Sequence, residues 1–374
     1  MKKTSNSVLL CLVVFAVICM SWEVVFAAEL VHTTATLSQR RGGLCSTSVG
    51  DKAMFAGGFA PGGISSNVVD IYDATQGVWG TASLSEGRYF TAATTVGSKA
   101  LFAGGWRVPA YAPSGVVDVY DDDTGLWSTM TLSQDRCSLA ATTIGSKAIF
   151  AGGYSDGGNS DRIDIYDADS DTWSTHTLSE ARWGLGAVSV GDLAIFAGGV
   201  QGSSTLSDAI DIYNVDTDQW YSTTFSEGKG ELSGTAIDGK AFFAGYSEVE
   251  IYDVVTDIWS SESLSVSKYG TIATSLGDLA LFGGGYVSNY GPPTDAVDIY
   301  DAGSNQWLTA RLSEARFALT ATTVGNSAIF AGGRTGWSGW ATCTATVDIY
   351  TIPEPTTLLL LGLGGLGLLK KGRA

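Results

Sequence analysis

The sequence predicts an all-β protein built from seven similar units. Tryptophan recurs at intervals of 48, 46, 47, 39 and 48 residues, at Trp79, Trp127, Trp173, Trp220, Trp259 and Trp307. The 374 residues include 48 glycines and only 7 prolines, and 16% of them are charged, which is typical of many short strands joined by tight turns. A fixed period of this length indicates repeats that need their neighbours to bury their apolar faces.

The same order of residues surrounds each tryptophan: an apolar run, two glycines, a variable loop, Asp-Ile-Tyr, a polar turn, the tryptophan, Leu-Ser and a basic residue. The glycine pairs define seven units, of which the fifth is degenerate: Gly57/Gly58, Gly104/Gly105, Gly152/Gly153, Gly198/Gly199, Gly245/Tyr246, Gly284/Gly285 and Gly332/Gly333. The tyrosines agree with this count: Tyr72, Tyr120, Tyr166, Tyr213, Tyr252, Tyr300 and Tyr350.

Turn residues predict four strands in each unit. Glycine at the first turn position favours a type II′ hairpin, and it occurs in Gly50-Asp51, Gly97-Ser98, Gly145-Ser146, Gly191-Asp192, Gly277-Asp278 and Gly325-Asn326. Asp238-Gly239 predicts the type I′ variant instead. The Asp-Ile-Tyr strand and the tryptophan strand follow, so each unit is expected to be a small twisted sheet.

A single small sheet cannot cover both of its faces, and stacking of about four to eight such sheets around an axis is the β-propeller solution. Unit seven stops at Thr351 without a tryptophan strand, and residues 30–36 precede the first Leu-Ser without a unit of their own. His32 lies at the tryptophan position of that segment. We therefore expect the N-terminal strand to complete blade seven and close the ring.

The glycine pair, the downstream tyrosine and the tryptophan resemble the kelch repeat over residues 29–351. This resemblance implies a seven-bladed kelch-type propeller that serves as a binding platform or, in the galactose-oxidase-like branch, as an enzyme. The copper site of that branch needs two histidines with tyrosines and a cysteine-linked tyrosine, whereas residues 29–351 contain only His32 and His176. We therefore expect no copper.

No other arrangement of residues predicts catalysis or metal binding. Neither histidine lies near a nucleophile in a local motif. The Asp-rich turns at 121–123 and 167–171 could indicate calcium sites. However, Thr172 and Leu178 occupy the positions at which an EF-hand loop needs glycine and glutamate. We predict no catalytic residue, no metal and no cofactor.

Both termini differ from the repeats. Residues 1–27 combine Lys2 and Lys3, an apolar run and small residues at 25–27, which indicates a secretory signal peptide. Export places the remaining cysteines in a compartment that permits disulfides, where they form small core residues or one disulfide with a spare thiol: Cys45, Cys137 and Cys343.

Residues 352–374 contain Pro353-Glu354-Pro355, an apolar Gly/Leu segment and a basic end, and they resemble the PEP-CTERM sorting signal. The resemblance implies an exosortase as a partner, cleavage near the tripeptide, and a place at the cell surface or extracellular matrix of a Gram-negative, exopolysaccharide-producing bacterium. A plain C-terminal membrane anchor is the alternative. Both interpretations place the propeller outside the inner membrane, with membrane contact only through the tail.

The charge excludes one class of partner. The chain carries −17, and without the leader (+1) and the tail (+2) it carries −20. Such a surface repels phosphate backbones, so nucleic acid is not an expected partner.

A basic residue follows each Leu-Ser or Phe-Ser and is expected beside the channel: Arg41, Arg88, Arg136, Arg182, Lys229, Lys268 and Arg316. An acidic position matches it one for one: Asp70, Asp118, Asp164, Asp211, Glu250, Asp298 and Asp348. These residues either form a cationic rim that binds a ligand or pair internally to serve the repeat.

Aromatic residues in the variable loops are the remaining binding candidates: Trp106, Tyr154, Tyr286, Trp337 and Trp340. The preferred hypothesis is a non-catalytic module that binds a glycan or a protein at the cell envelope or exopolysaccharide matrix. The alternatives are a hydrolase or lyase that uses Asp or Glu with an arginine of the ring, and a purely structural matrix protein.

Overall fold

The computed structural model describes residues 30–202, 204–287 and 291–353, and it consists of seven small antiparallel sheets in a ring. The predicted seven-bladed β-propeller is confirmed. The compact unit that contains it is His32–Thr351. The expected signal peptide and the tail from residue 354 lie outside the described residues. Within the described ranges, no helix has the length and apolar character to cross a membrane.

Each blade has four main strands, labelled A to D from the propeller axis outward. Blade one consists of Cys45–Val49, Lys52–Ala56, Val68–Asp73 and Val78–Ser83. Blade two consists of Ala92–Val96, Lys99–Ala103, Ala112–Asp121 and Leu126–Arg136. Blade three consists of Ala140–Ile144, Lys147–Ala151, Arg162–Asp167 and Thr172–Thr177. Blade four consists of Gly186–Val190, Leu193–Ala197, Ala209–Asn214 and Gln219–Thr224.

Blade five consists of Ser233–Ile237, Lys240–Ala244, Glu248–Asp253 and Ile258–Ser263. Blade six consists of Ile272–Leu276, Leu279–Gly283, Ala296–Asp301 and Gln306–Arg311. Blade seven consists of Thr320–Val324, Ser327–Ala331, Thr346–Thr351 and, as its D strand, Val31–Thr36. Short strands in the loops after the glycine pairs are Phe59–Ala60, Ile64–Ser65, Trp106–Arg107, Tyr154–Ser155, Gly158–Asn159, Val200–Gln201 and Thr205–Leu206, and a 3₁₀ turn spans Trp340–Thr342.

The core lies between the blades. The B strands are the most deeply buried, as shown by Phe55 and Phe196, which have no exposed surface. One apolar cluster joins Ile195 of blade four to Phe243 of blade five, and equivalent clusters join other neighbouring blades. Because the apolar residues of these clusters are covered by the neighbouring blade, burial of nonpolar surface holds the ring together.

The hairpin turns between strands A and B have the predicted geometry. Gly50 has a φ of 53°, and Asp51 is not among the residues with positive φ, as a type II′ turn requires. Asp238 and Gly239 both have positive φ, at 48° and 69°, as the type I′ variant requires.

The N-terminal strand closes the ring as predicted. Val31–Thr36 pairs with Thr346–Thr351, so the two ends of the propeller form one sheet. The His32 ring stacks on Tyr350 with a centroid distance of 4.6 Å, and its Nε2 lies 2.7 Å from Oδ1 of the buried Asp348. The imidazole therefore replaces the tryptophan of the other blades and adds a polar contact to the closure.

We expect His32→Ala to lower the free energy of unfolding by at least about 1 kcal/mol more than His176→Ala does, because a buried carboxylate loses a partner. His176 is the matched control, since its ring stacks on Trp220 at 4.9 Å and it makes no carboxylate contact among the described residues. Equilibrium unfolding in denaturant measures the difference. Equal effects of the two substitutions would show that the contact with Asp348 contributes nothing to closure.

Candidate functional site

The predicted cations do not line the mouth of the channel, because six of them are fully buried: Arg41, Arg88, Arg136, Arg182, Lys268 and Arg316. Each makes an ion pair with the acidic residue of its own blade. Burial keeps these six side chains from contact with a ligand. It therefore favours internal pairing over a cationic rim.

Blade three shows how each pair is built. Nη2 of Arg136 bonds to Oδ2 of Asp164, while Nη1 donates to the carbonyl oxygens of Gly152 and Arg162 at 2.8 and 2.6 Å. The other oxygen of Asp164 accepts a hydrogen bond from the Ser133 amide at 2.9 Å. One ion pair therefore joins the strand leaving blade two to two strand ends of blade three.

The electrostatics of the pairs follow from burial. Loss of solvent lowers the pKa of Arg136, and the charge of Asp164 opposes that shift. An arginine remains protonated under these conditions because its ordinary pKa is so high. The charge is balanced within the protein, which makes the pair a structural element of each blade.

Blade five is the exception among the pairs. Lys229 and Glu250 replace the usual residues, their atoms lie 2.8 Å apart, and both side chains keep about a tenth of their surface exposed (13% and 12%). Glu227 and Glu248 also lie 3.2 Å from Nζ of Lys229. Partial burial lowers the pKa of Lys229, but the bonds to these three glutamates outweigh it and raise the pKa above its ordinary value.

The loops that follow the basic residues form an axial ring. Its second position has positive φ in every blade: Gly43, Phe90, Ser138, Gly184, Glu231, Gly270 and Ala318. Their backbones bond from blade to blade, since Phe90 N donates to Gly43 O at 2.9 Å and Gly43 N donates to Ala318 O at 2.8 Å. These bonds hold one mouth of the channel in a fixed shape.

In six blades the residue before the axial position bridges to the loop after the glycine pair, as in Tyr269 with Tyr286 and Phe317 with Arg334. This pairing brings together five rings from blades five to seven, which we call the aromatic arc: Tyr246, Tyr269, Tyr286, Phe317 and Trp337. Tyr246 stacks on Tyr269 at 4.2 Å, and Tyr269 stacks on Tyr286 at 5.5 Å.

The arc continues into blade seven. Trp337 lies edge-on to Tyr286 at 5.0 Å and stacks on Phe317 at 4.2 Å. The Arg334 guanidinium lies over Phe317 at 5.3 Å, and Nε1 of Trp337 donates to the Gly291 carbonyl at 2.7 Å. These contacts fix the loops of blades six and seven against each other.

Two of the predicted aromatic residues lie elsewhere on the mouth. Trp106 and Tyr154 line a cavity of about 820 Å³ with Tyr89 and Trp183. Trp340 belongs to the 3₁₀ turn of blade seven.

A central cavity of about 590 Å³ is bordered by axial residues of all blades and by Tyr286 and Trp337. The structure therefore brings Tyr286 and Trp337 together but keeps Trp106 and Tyr154 apart from them.

Sequence reasoning missed four residues of the mouth: Tyr246, Glu227, Glu231 and Glu248. The Glu231 carboxylate accepts a hydrogen bond from the Tyr286 hydroxyl at 3.0 Å. The signal that could have identified them is the degenerate Gly245-Tyr246 pair in the one shortened unit.

Potential metal ligands do not cluster in the part of the chain that the structure describes. Over residues 30–202, 204–287 and 291–353, no group of three or more His, Cys, Asp or Glu side chains could hold a metal ion. Cys45, Cys137 and Cys343 are buried and free of disulfides. Glycoside hydrolysis needs two carboxyls with open space between them, whereas the ammonium of Lys229 lies between Glu227 and Glu248.

Comparison with known proteins identifies the end of the chain. Residues 351–373 match the PEP-CTERM protein-sorting motif. No curated protein matches the sequence. The motif marks an exported, surface-associated protein of Gram-negative bacteria that is processed at the membrane by an exosortase, and here it follows a propeller scaffold.

Arg136→Ala is expected to lower the free energy of unfolding by about 3–5 kcal/mol, because it leaves the Asp164 carboxylate buried without its cation. Arg136→Lys should lower the free energy of unfolding by less, since Lys268 fills the equivalent position in blade six and forms an ion pair with Asp298 at 2.9 Å. Arg311→Ala is the control, because that side chain is 77% exposed and its ion pair contributes less than about 1 kcal/mol. Similar losses for Arg136→Ala and Arg311→Ala in denaturant unfolding would contradict the structural role.

The three thiols should resist alkylation in the folded protein. Burial raises the pKa of Cys45 to about 12, and it also raises the pKa values of Cys137 and Cys343. The raised pKa values disfavour the reactive thiolate at about pH 8, and burial keeps the reagent from the sulfur atoms. Mass spectrometry after iodoacetamide treatment should find all three modified only when the protein is unfolded first. Rapid labelling of the folded protein would be inconsistent with this burial.

Proposed function

We propose that the protein is a non-catalytic binding module of the cell envelope or exopolysaccharide matrix, and that its mouth contacts a glycan or a protein ligand. The observation that carries this proposal is the aromatic arc. Five rings from three blades meet at one end of the channel, beside a cavity of about 590 Å³. Cavities of this size with aromatic walls are typical of ligand sites.

The arc is not required by the repeat. The position of Tyr269 and Phe317 is occupied by Gly42, Cys137 and Gly230 in other blades, which close equally well into the ring. Residues that differ between blades, in loops held by a rigid frame, are the ones expected to recognise a ligand. The kelch-like order of residues supports the same interpretation, since it implies a binding platform.

The sorting motif supports the place of action. It marks export and processing at the membrane, which gives the propeller access to the outer envelope and its glycans. The excess of acidic residues, with a net charge of −17 for the whole chain, disfavours nucleic acid in that setting.

The alternatives fit the geometry less well. A hydrolase or lyase that uses an arginine of the ring is disfavoured, because those side chains have no exposed surface. A purely structural matrix protein gives no reason for an aromatic mouth with open cavities.

Trp337→Ala should weaken ligand binding at least about ten-fold, because central aromatic residues dominate the energy of such sites. Tyr221→Ala is the matched control, since Tyr221 is 48% exposed on the outer strand of blade four, away from the mouth. A glycan array and a pull-down from envelope extracts, each with both variants, measure the change. Turnover of a glycan, or binding unaffected by Trp337→Ala, would count against the proposal.

A further inference from the structure

Blade five lacks the loop that other blades insert after the glycine pair. Its chain passes from Gly245 through Tyr246 and Ser247 into strand C at Glu248, whereas blades one, three and four form a short hairpin at this point. The space left open is a cleft of about 630 Å³ between blades four, five and six. This volume lies within the range of about 300–1,000 Å³ for small-ligand sites.

One wall of the cleft is aromatic. Tyr246, Tyr269 and Tyr286 line it as a continuous stack, and Tyr246 at the end of that stack is 45% exposed. The shortened loop is thus what leaves this tyrosine accessible to a ligand.

The same cleft also has an acidic lining. Glu227, Glu231 and Glu248 face the cleft together with one cation, Lys229. The side chains of Glu227 and Glu248 are 71% and 42% exposed, and surface ion pairs of this kind are weak enough to rearrange. The lining therefore has a net negative charge beside the exposed ring of Tyr246. Such a surface attracts a cationic group and repels an anionic one.

Resting on the binding function proposed above, we propose that the blade-five cleft binds a glycan that carries free amino groups. A sugar ring lies against Tyr246, and its ammonium is bonded by Glu248 and Glu227. Aromatic faces also attract ammonium groups directly. Removal of the Tyr246 side chain or of one of the two carboxylates then weakens binding of the sugar.

The backbone around the cleft favours a sugar over an extended peptide. The loop uses its polar groups internally: Gly245 N donates to Glu248 O at 2.9 Å, and Tyr246 O accepts from Lys268 N at 2.5 Å. A peptide that binds as an added strand needs such groups to be unpaired. A sugar ring needs only the ring surface and the carboxylates.

The test uses protein produced from the full-length chain and isothermal titration calorimetry at low salt. The probe is a fully deacetylated glucosamine tetrasaccharide at about pH 6, below the ordinary pKa of an amino group. Its N-acetylated counterpart and tetralysine are the comparison ligands. The variants are Tyr246→Ala and Glu248→Gln, and the controls are Tyr221→Ala and Glu262→Gln, which change exposed residues of outer strands.

We expect the amino form to bind at least about ten-fold more tightly than the acetylated form, and each cleft variant to lose about ten-fold, as for hydrogen bonds to charged groups. The controls should bind as the unchanged protein does. Equal binding of both sugars, or binding of tetralysine alone, would overturn this inference and leave the general binding function standing. Failure of the protein to bind any ligand on the array or in the pull-down would instead remove the proposed function itself.

Discussion

The buried ion pair between each basic residue and its acidic partner is the constraint on which the blades depend. In blade three, the carboxylate of Asp164 accepts from Ser133 at the end of blade two, and its cation Arg136 bonds to two carbonyl oxygens of blade three. A charge pair in the interior adds little net stability over apolar packing, yet loss of one partner is costly. Its contribution is therefore positional: it fixes where one blade ends and the next begins.

Blade five shows what happens when this constraint is relaxed. A shorter cation and a longer carboxylate, Lys229 and Glu250, replace the usual pair and remain partly exposed. In six blades the residue after the cation bridges to the loop that follows the glycine pair, but in the described part of blade five no such bridge is found. The same blade has no hairpin after its glycine pair, so a partly exposed ion pair and an open cleft occur together.

Most of the fold could be predicted from the sequence because its determinants are local and repeated. The tryptophan period indicates the repeat, the glycine pairs and the tyrosines indicate seven blades, and Gly50 and its equivalents predict the hairpin turns. The position of His32 predicts the closure of the ring. The mouth was less predictable. Whether Arg136 faces solvent or Asp164 depends on packing between strands far apart in sequence, and so does the meeting of Tyr246 with Tyr269 and Tyr286.

The repeat also explains why one end of the propeller is free to differ between blades. At the other end, the turns between strands A and B have positive φ at a fixed position, as at Gly97 and Gly145, and glycine occupies that position in six of the seven blades. Between the glycine pair and strand C no such requirement applies, and length and composition vary from blade to blade. The interblade apolar clusters of blades three to five contain no residue between the glycine pair and strand C, so a short segment at this point leaves these clusters intact. Shortening one loop is therefore a low-cost way to open a cleft in an otherwise closed ring.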